Sequence, residues 1–297
     1  MNEPRRRGPV ARVVFGLWDA MNFTRRLILN LLFFAILIMI LVAIGAADRA
    51  KPLAERSTLV LAPEGRLVEQ YSSDPLSRAL SKAVGDDSDA EVQVRDLLRA
   101  LDAARTDKRI ERVVLNLDRL QPTGMASLRE VAAGIGKLRA SGKQVVAFTE
   151  GLEQGQYLLA AQANEVYLDP MGGILLEGLD RYRQYYREGL QDKLGVDVHL
   201  FKVGEYKSAA EPFVLDAASP EAKEADLFWM NDVWQRYLAD VARARRITPA
   251  QLAAGIDSIP EGVAALGGDL AKYALQQRLV DGLKTREQVQ DLLTQRG

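Results

Sequence analysis

The chain contains no cysteine. That excludes thiol nucleophiles, disulfides and thiolate metal sites, but leaves the compartment open, since reducing and oxidising spaces both tolerate a chain without thiols. There is one histidine, His199, and it falls inside a stretch read as a strand. A packed or hydrogen-bonded strand histidine is a simpler reading of it than the middle member of a Ser-His-Asp triad. Neither sign of charge is in excess: 39 lysines and arginines stand against 40 aspartates and glutamates. Such a balance makes no field strong enough to gather nucleic acid, so no nucleic-acid partner is expected. The acids of Gly85-Asp86-Asp87-Ser88-Asp89 lack the ligand spacing and terminal glutamate of a calcium loop. Residues 72–91 therefore read as a solvated, mobile loop, and no metal or other cofactor is expected.

What the sequence does have is one long apolar run near its start. Residues 1–26 carry Arg5, Arg6, Arg7, Arg12, Arg25 and Arg26 against only Glu3 and Asp19, with Val13, Val14, Phe15, Leu17 and Trp18 forming an amphipathic stretch suited to a lipid surface. Residues 27–47, LILNLLFFAILIMILVAIGAA, are apolar apart from Asn30. At a rise of ~1.5 Å per residue this run is long enough to cross a hydrocarbon core of ~30 Å. The arginine excess places the amino terminus in the cytoplasm and everything after Asp48 on the far side. Gly45-Ala46-Ala47 offers small residues for a signal-peptide cleavage site, but the apolar core exceeds a typical signal-peptide core, so an uncleaved anchor is expected. The expected organisation is a basic cytoplasmic segment over 1–26, a transmembrane signal anchor over 27–47, a tether over 48–57 and one domain over 58–297.

Within that domain, Thr58 to Leu61 begins a strand and Pro63-Glu64-Gly65 turns the chain into Leu67 to Tyr71. From Val92 onward helix and strand alternate. Val94, Leu97, Leu98, Leu101 and Ala104 share a helical face, Val113 to Leu117 is a compact apolar strand, and Leu128 to Leu138 is helical up to Gly142. Val145 to Phe148 reads as the next strand, then a helix from about Gln156 to Ala163, then Val166 to Leu168 and Ile174 to Leu176. Alternation of this kind predicts an α/β fold with a mainly parallel sheet covered by helices. Ser219-Pro220-Glu221 is a strong helix start, and Leu227, Met230, Trp234, Tyr237, Leu238 and Val241 follow at helical spacing as a core or subunit-contact stripe. Thr248-Pro249 opens another helix.

The stretch Gly195 to Phe213, GVDVHLFKVGEYKSAAEPF, carries the chemistry. Val196, Val198, Leu200 and Phe201 read as a short, mostly buried strand broken by Gly204, after which Tyr206-Lys207-Ser208 turns into a short helix. A lysine buried just past a core strand loses hydration of its ammonium, and its neutral amine can then take the proton of a serine hydroxyl. Alternation places Lys202 on a different face. Ser208 adjoins Lys207, but adjacent side chains on a strand or turn diverge, which argues against a bond between their Oγ and Nζ atoms.

The run VGEYKSAAEPF resembles the segment that bears the general-base lysine in the signal peptide peptidase A family, also called protease IV. Gly267-Gly268-Asp269, Ala271 to Leu279 and Val280-Asp281-Gly282 resemble the closing segment of each repeat in that family. The order of elements resembles the amino-terminal repeat of its long, two-repeat members. The resemblance implies a crotonase-like fold shared with Clp proteases, Lys207 as catalytic base, and a place in a bacterial inner membrane with the domain on the periplasmic or extracytoplasmic side. It further implies remnant signal peptides or other membrane-proximal peptides as substrates, tetrameric self-association, and a serine-bearing second repeat as partner.

The family's nucleophile is missing at the expected place. The position that aligns with the family's serine is Gln154 in TEGLEQGQYLLA, and after Val113 to Leu117 the chain reads Gln121-Pro122-Thr123-Gly124 where a glycine pair would help form an oxyanion hole. Two readings follow. In one, the chain supplies the lysine of a membrane-anchored serine endopeptidase whose serine lies in a second repeat. In the other, it is an inactive anchored scaffold or binding relative of the same fold.

Overall fold

A computed structural model describes residues 9–47, 53–85 and 90–296, and the chain divides into two compact units, residues 1–53 and 54–297. The first is a single helix, α1 (Pro9–Ala47), with no break between the amphipathic stretch and the apolar run. Val13–Val42 of this helix is long and apolar enough to cross a membrane, with a mean hydropathy of 2.3.

The second unit is built on a five-stranded parallel sheet in the order β1 (Ser57–Leu61), β4 (Ile110–Leu115), β6 (Gln144–Glu153), β7 (Glu165–Leu175), β8 (Gly282–Leu283). A smaller parallel sheet joins β2 (Gly65–Val68) to β3 (Glu91–Gln93) and β5 (Leu120–Gln121). The α-helices are α2 (Pro75–Val84), α3 (Val94–Thr106), α4 (Met125–Ala140), α5 (Gln154–Ala160), α6 (Glu211–Val214), α7 (Pro220–Arg245), α8 (Pro249–Asp257), α9 (Ile259–Ala265), α10 (Leu270–Gln276) and α11 (Arg286–Gln295), and a short π-helix covers Glu188–Lys193. This is the expected α/β architecture, a mainly parallel sheet covered by helices.

The central strands are rich in β-branched residues because both of their faces are covered. On one face, Val113, Leu115, Val145, Ala147, Val166 and Leu168 meet the apolar stripes of α3, α4, α5 and α7 in the principal core. On the other, Val146, Phe148 and Tyr167 pack against Val289, Leu292 and Leu293 of α11. Tyr157 and Tyr237 are fully buried within the first layer. Each buried hydroxyl is satisfied, Tyr157 donating to the Leu279 carbonyl at 2.7 Å and Tyr237 to the Gln154 carbonyl at 3.0 Å.

Three local expectations need correction. Residues 72–91 are not one solvated loop, for they contain α2. Asp74 caps that helix by accepting from the Leu76 and Ser77 amides at 2.9 and 3.1 Å, Pro75 opens it, and Gly85 closes it in the left-handed region at φ 72. The acids at 86–89 lie outside the described residues. The two segments read around Val166 and Ile174 form the single strand β7, which keeps pairing with β6 across a register shift between Thr149 and Gly151. The segment Val196 to Phe201 is not a buried strand. It is irregular, with Phe201 95% and Val203 84% exposed, and His199 is exposed with it. Strand propensity alone does not make a strand without backbone pairing, and no backbone group of residues 197–203 is hydrogen-bonded among the described residues.

Candidate active site

Strand β6 runs directly into α5, so the residues at the junction stand at the carboxyl end of the sheet, where ligands gather in parallel α/β folds. Gln154, the first residue of α5, occupies the position read as the family's serine. Its side chain is committed to the backbone: Nε2 donates to the Gly178 carbonyl at 2.7 Å, and Oε1 accepts from the Gly178 and Glu177 amides at 3.1 and 3.3 Å. A carboxamide in this setting offers neither an attacking hydroxyl nor a vacant place for one.

The loop that would supply oxyanion donors is closed against the same turn. Buried Gln156 donates from Nε2 to the Leu117 and Leu120 carbonyls at 3.1 and 2.8 Å, while its Oε1 accepts from the Glu153 amide at 2.8 Å. Pro122 lies on Gly155 so closely that a Cβ there would stand 2.6 Å from the proline Cβ. Proline has no N–H, so the group nearest the turn is not a donor. Neighbouring Asp118 accepts from the Thr149 hydroxyl and the Glu150 amide. Burial raises its carboxyl above the ordinary value, and those two bonds oppose the shift. A cleft of about 550 Å³ opens here between Glu64, Gly65, Asp118, Pro122, Glu153 and Gln156.

Lys207 lies elsewhere, in the segment joining β7 to α6. It is exposed, and its ammonium has no hydrogen-bonded or ion-paired partner among the described residues. Gly204, at φ +102, makes the turn that carries it, a conformation that favours glycine. No hydrogen bond links Lys207 to Gln154 or to Ser208 Oγ among the described residues. The site residue drawn from the sequence thus stands free rather than enclosed at the end of a strand.

What fastens its segment is a set of residues to which the sequence reading gave no role. Glu211 is nearly inaccessible to solvent, and its carboxylate accepts from the Ser219 hydroxyl at 2.7 Å and the Ser219 amide at 3.2 Å. Burial pushes this carboxyl up, but the two Ser219 bonds, with the charges of Lys202 and Arg183, bring it below the ordinary value. Arg183 also donates to the Ser208 carbonyl at 3.0 Å, Tyr206 to Glu224 at 3.0 Å, and the Tyr186 amide to the Pro212 carbonyl at 2.7 Å. Lys202 is exposed, and its charge helps to favour the ionised Glu211. The visible signal was the Glu-Pro pair in the motif, eight residues before the Ser-Pro start of α7.

Peptidase family S49 matches residues 137–296 of this chain. Protease 4 of Salmonella typhi is 38% identical over 283 residues, which make up 93% of this chain and 46% of that protein. Protease 4 of Haemophilus influenzae is 30% identical over 275 residues, 91% of this chain and 44% of that protein. The chain thus spans about half the length of these relatives. Among solved structures, a serine-to-alanine variant of the 1510-N membrane-bound stomatin-specific protease aligns with a TM-score of 0.41 at 11% identity, covering 82% of this chain and 85% of that one. With more than half of its residues matched by the family and the VGEYKSAAEPF segment inside the matched region, the chain belongs to Peptidase family S49.

Proposed function

We propose that this chain is the lysine-bearing repeat of a membrane-anchored serine endopeptidase, with Lys207 as the general base and the nucleophilic serine in a second repeat. The observation that carries the reading is the state of the Lys207 segment. Its backbone between 197 and 203 is unpaired among the described residues, and Phe201, Val203 and Tyr206 around it are exposed. Unpaired backbone and large apolar side chains in such a condition suit a surface that another domain covers. Covering it would strip water from the Lys207 ammonium and favour the neutral amine.

In the assembled site, the Lys207 amine takes the proton of the serine hydroxyl as its oxygen attacks the scissile carbonyl. The ammonium so formed protonates the departing amine, leaving an acyl-enzyme that water hydrolyses. The oxyanion donors belong to the second repeat, because Pro122 and Gln156 close the equivalent loop here. The proposed substrates are remnant signal peptides or other membrane-proximal peptides, and the proposed assembly is a tetramer. α1 serves as a single-span anchor in the bacterial inner membrane, with the domain on the periplasmic or extracytoplasmic side. A reporter fused after Gly297 and active only in the cytoplasm would overturn that orientation.

The second reading, an inactive anchored scaffold, is favoured by one observation, the commitment of Gln154 to Gly178. Turnover of a peptide ester separates the two. The chain alone is expected to show none. Joined to a serine-bearing repeat of the family it is expected to turn over and to accumulate an acyl group on that repeat's serine. Acylation of any serine of this chain, or an inert assembly, would sink the proposal.

A further inference from the structure

We infer that α2 is an interfacial helix that lies on the bilayer surface with Leu76, Leu80 and Val84 inserted among the lipids. The inference rests on the membrane reading of α1 but concerns a separate element.

Helix α2 leaves its apolar face uncovered by the domain. Leu76, Leu80 and Val84 recur every four residues, with Ala79 and Ala83 between them, and so form one apolar face. That face is open to solvent: Leu76 is 78%, Leu80 64% and Val84 71% exposed, and no residue of the helix is buried. The opposite face holds Ser77, Arg78, Ser81 and Lys82. Of these only Arg78 is partly covered, its guanidinium 4.0 Å from the centre of the Tyr71 ring and donating to the Ser73 carbonyl. Helicity does not depend on burial here, since Asp74 and Gly85 cap both ends.

The geometry points to lipid rather than to a protein groove or a second copy. Only residues 48–56 separate the apolar run from β1, and nine residues span at most roughly 30 Å. A domain so tethered meets the bilayer surface at a high effective concentration, whereas any protein partner must be recruited. A single convex helix with leucines on one side and serines on the other suits insertion at the headgroup boundary. The sequence beyond it, Asp86-Asp87-Ser88-Asp89, is acidic. Binding is therefore driven by the apolar side chains and not by attraction to anionic headgroups, which sets it apart from a polybasic anchor.

The absence of cysteine makes the test direct. Leu80→Cys and, as control, Ser81→Cys are each labelled with an environment-sensitive fluorophore in the full chain, reconstituted into phosphatidylcholine vesicles containing doxyl-labelled lipid. Quenching at position 80 is expected to exceed that at 81 by about threefold or more, and to change little with phosphatidylglycerol or salt. Adding Leu76→Ser and Val84→Ser is expected to bring position 80 down to the control. Weak quenching at both positions would put α2 in water and overturn the inference. A label at 80 that is shielded equally in detergent, with disulfide cross-links between copies of L80C, would overturn it in favour of a second chain.

Discussion

The side chain of Gln154 treats Gly178 as a neighbouring strand would, donating to its carbonyl at 2.7 Å and accepting from its amide at 3.1 Å. A carboxamide has the same donor and acceptor as a peptide group, so it can satisfy both ends of one residue. Gly178 sits at φ +92, where the chain leaves the sheet for the segment that carries Lys207. The position expected to hold a nucleophile instead holds down the start of that segment.

Gln154→Ala is accordingly expected to destabilise the domain by about 1–2 kcal/mol, since it removes three bonds and leaves the Gly178 and Glu177 backbone groups without them. Denaturant unfolding measures the loss, and faster hydrogen exchange at Gly178 localises it. Gln154→Ser is expected to show the same loss and still no hydrolysis of a peptide ester, because the oxyanion donors remain absent. Turnover by this variant alone would mean that the missing hydroxyl was the whole deficit.

Gly155 and Pro122 supply a second test of the closed loop. An added methyl at Gly155 would meet the proline ring at 2.6 and 2.8 Å, too near for the ring to yield by rotating. Gly155→Ala is expected to lower the melting temperature by roughly 5 °C. Combining it with Pro122→Ala should recover most of that loss, because the variants share one contact. Additive losses would show that Pro122 is not what resists the methyl.

Glu211 links pH to the order of the Lys207 segment. Its carboxyl is held below the ordinary 4.5, so its contribution to stability is present above that value and fades as the pH falls through the depressed one. The readout is hydrogen exchange. Protection of the Ser219 amide is expected to drop as the solution is taken below pH 4.5. Glu211→Gln should mimic the acid state at neutral pH, at a cost of about 2 kcal/mol, because its amide turns a donor toward the Ser219 donors. Unchanged protection in both experiments would remove Glu211 as the fastening.

Much of the fold was legible because its signals are local. Strands β4 and β6 carry the compact apolar runs Val113-Val114-Leu115 and Val145-Val146-Ala147-Phe148, α3 and α4 show the helical period, and Ser219-Pro220 starts α7 where a cap and a fixed φ are wanted. α2 was missed because Ser, Asp and Gly outnumber apolar residues across 72–91, and composition outweighed the four-residue spacing of Leu76, Leu80 and Val84. The stretch Val196 to Phe201 failed for the opposite reason. Its residues do favour strands, but a strand exists only where its backbone pairs with another, and residues 197–203 pair with none among the described residues. At the candidate site, Gln154 and Lys207 were readable as residue types. The Gln154 to Gly178 pairing and the burial of Glu211 were not, since both depend on contacts with chain that lies beyond the motif.

Lys207 allows the sharpest prediction. In this chain Lys207 is exposed to solvent. Work as a base requires the enclosure that a docked serine-bearing repeat would provide. In that assembly Lys207→Ala is expected to reduce acylation of the serine by about 10³-fold, while stability changes by less than about 0.5 kcal/mol, as for other exposed positions. Lys207→Arg is expected to fail equally, because a guanidinium does not give up its proton. Lys202 is a poor control because its charge acts on Glu211. Lys223, exposed on the first turn of α7, is a better one and should tolerate alanine. The rate of acylation in the unsubstituted assembly should rise with pH as the amine loses its proton. If Lys207→Arg kept most of the activity, the residue would be acting as a fixed positive charge, and the dyad would have to be abandoned.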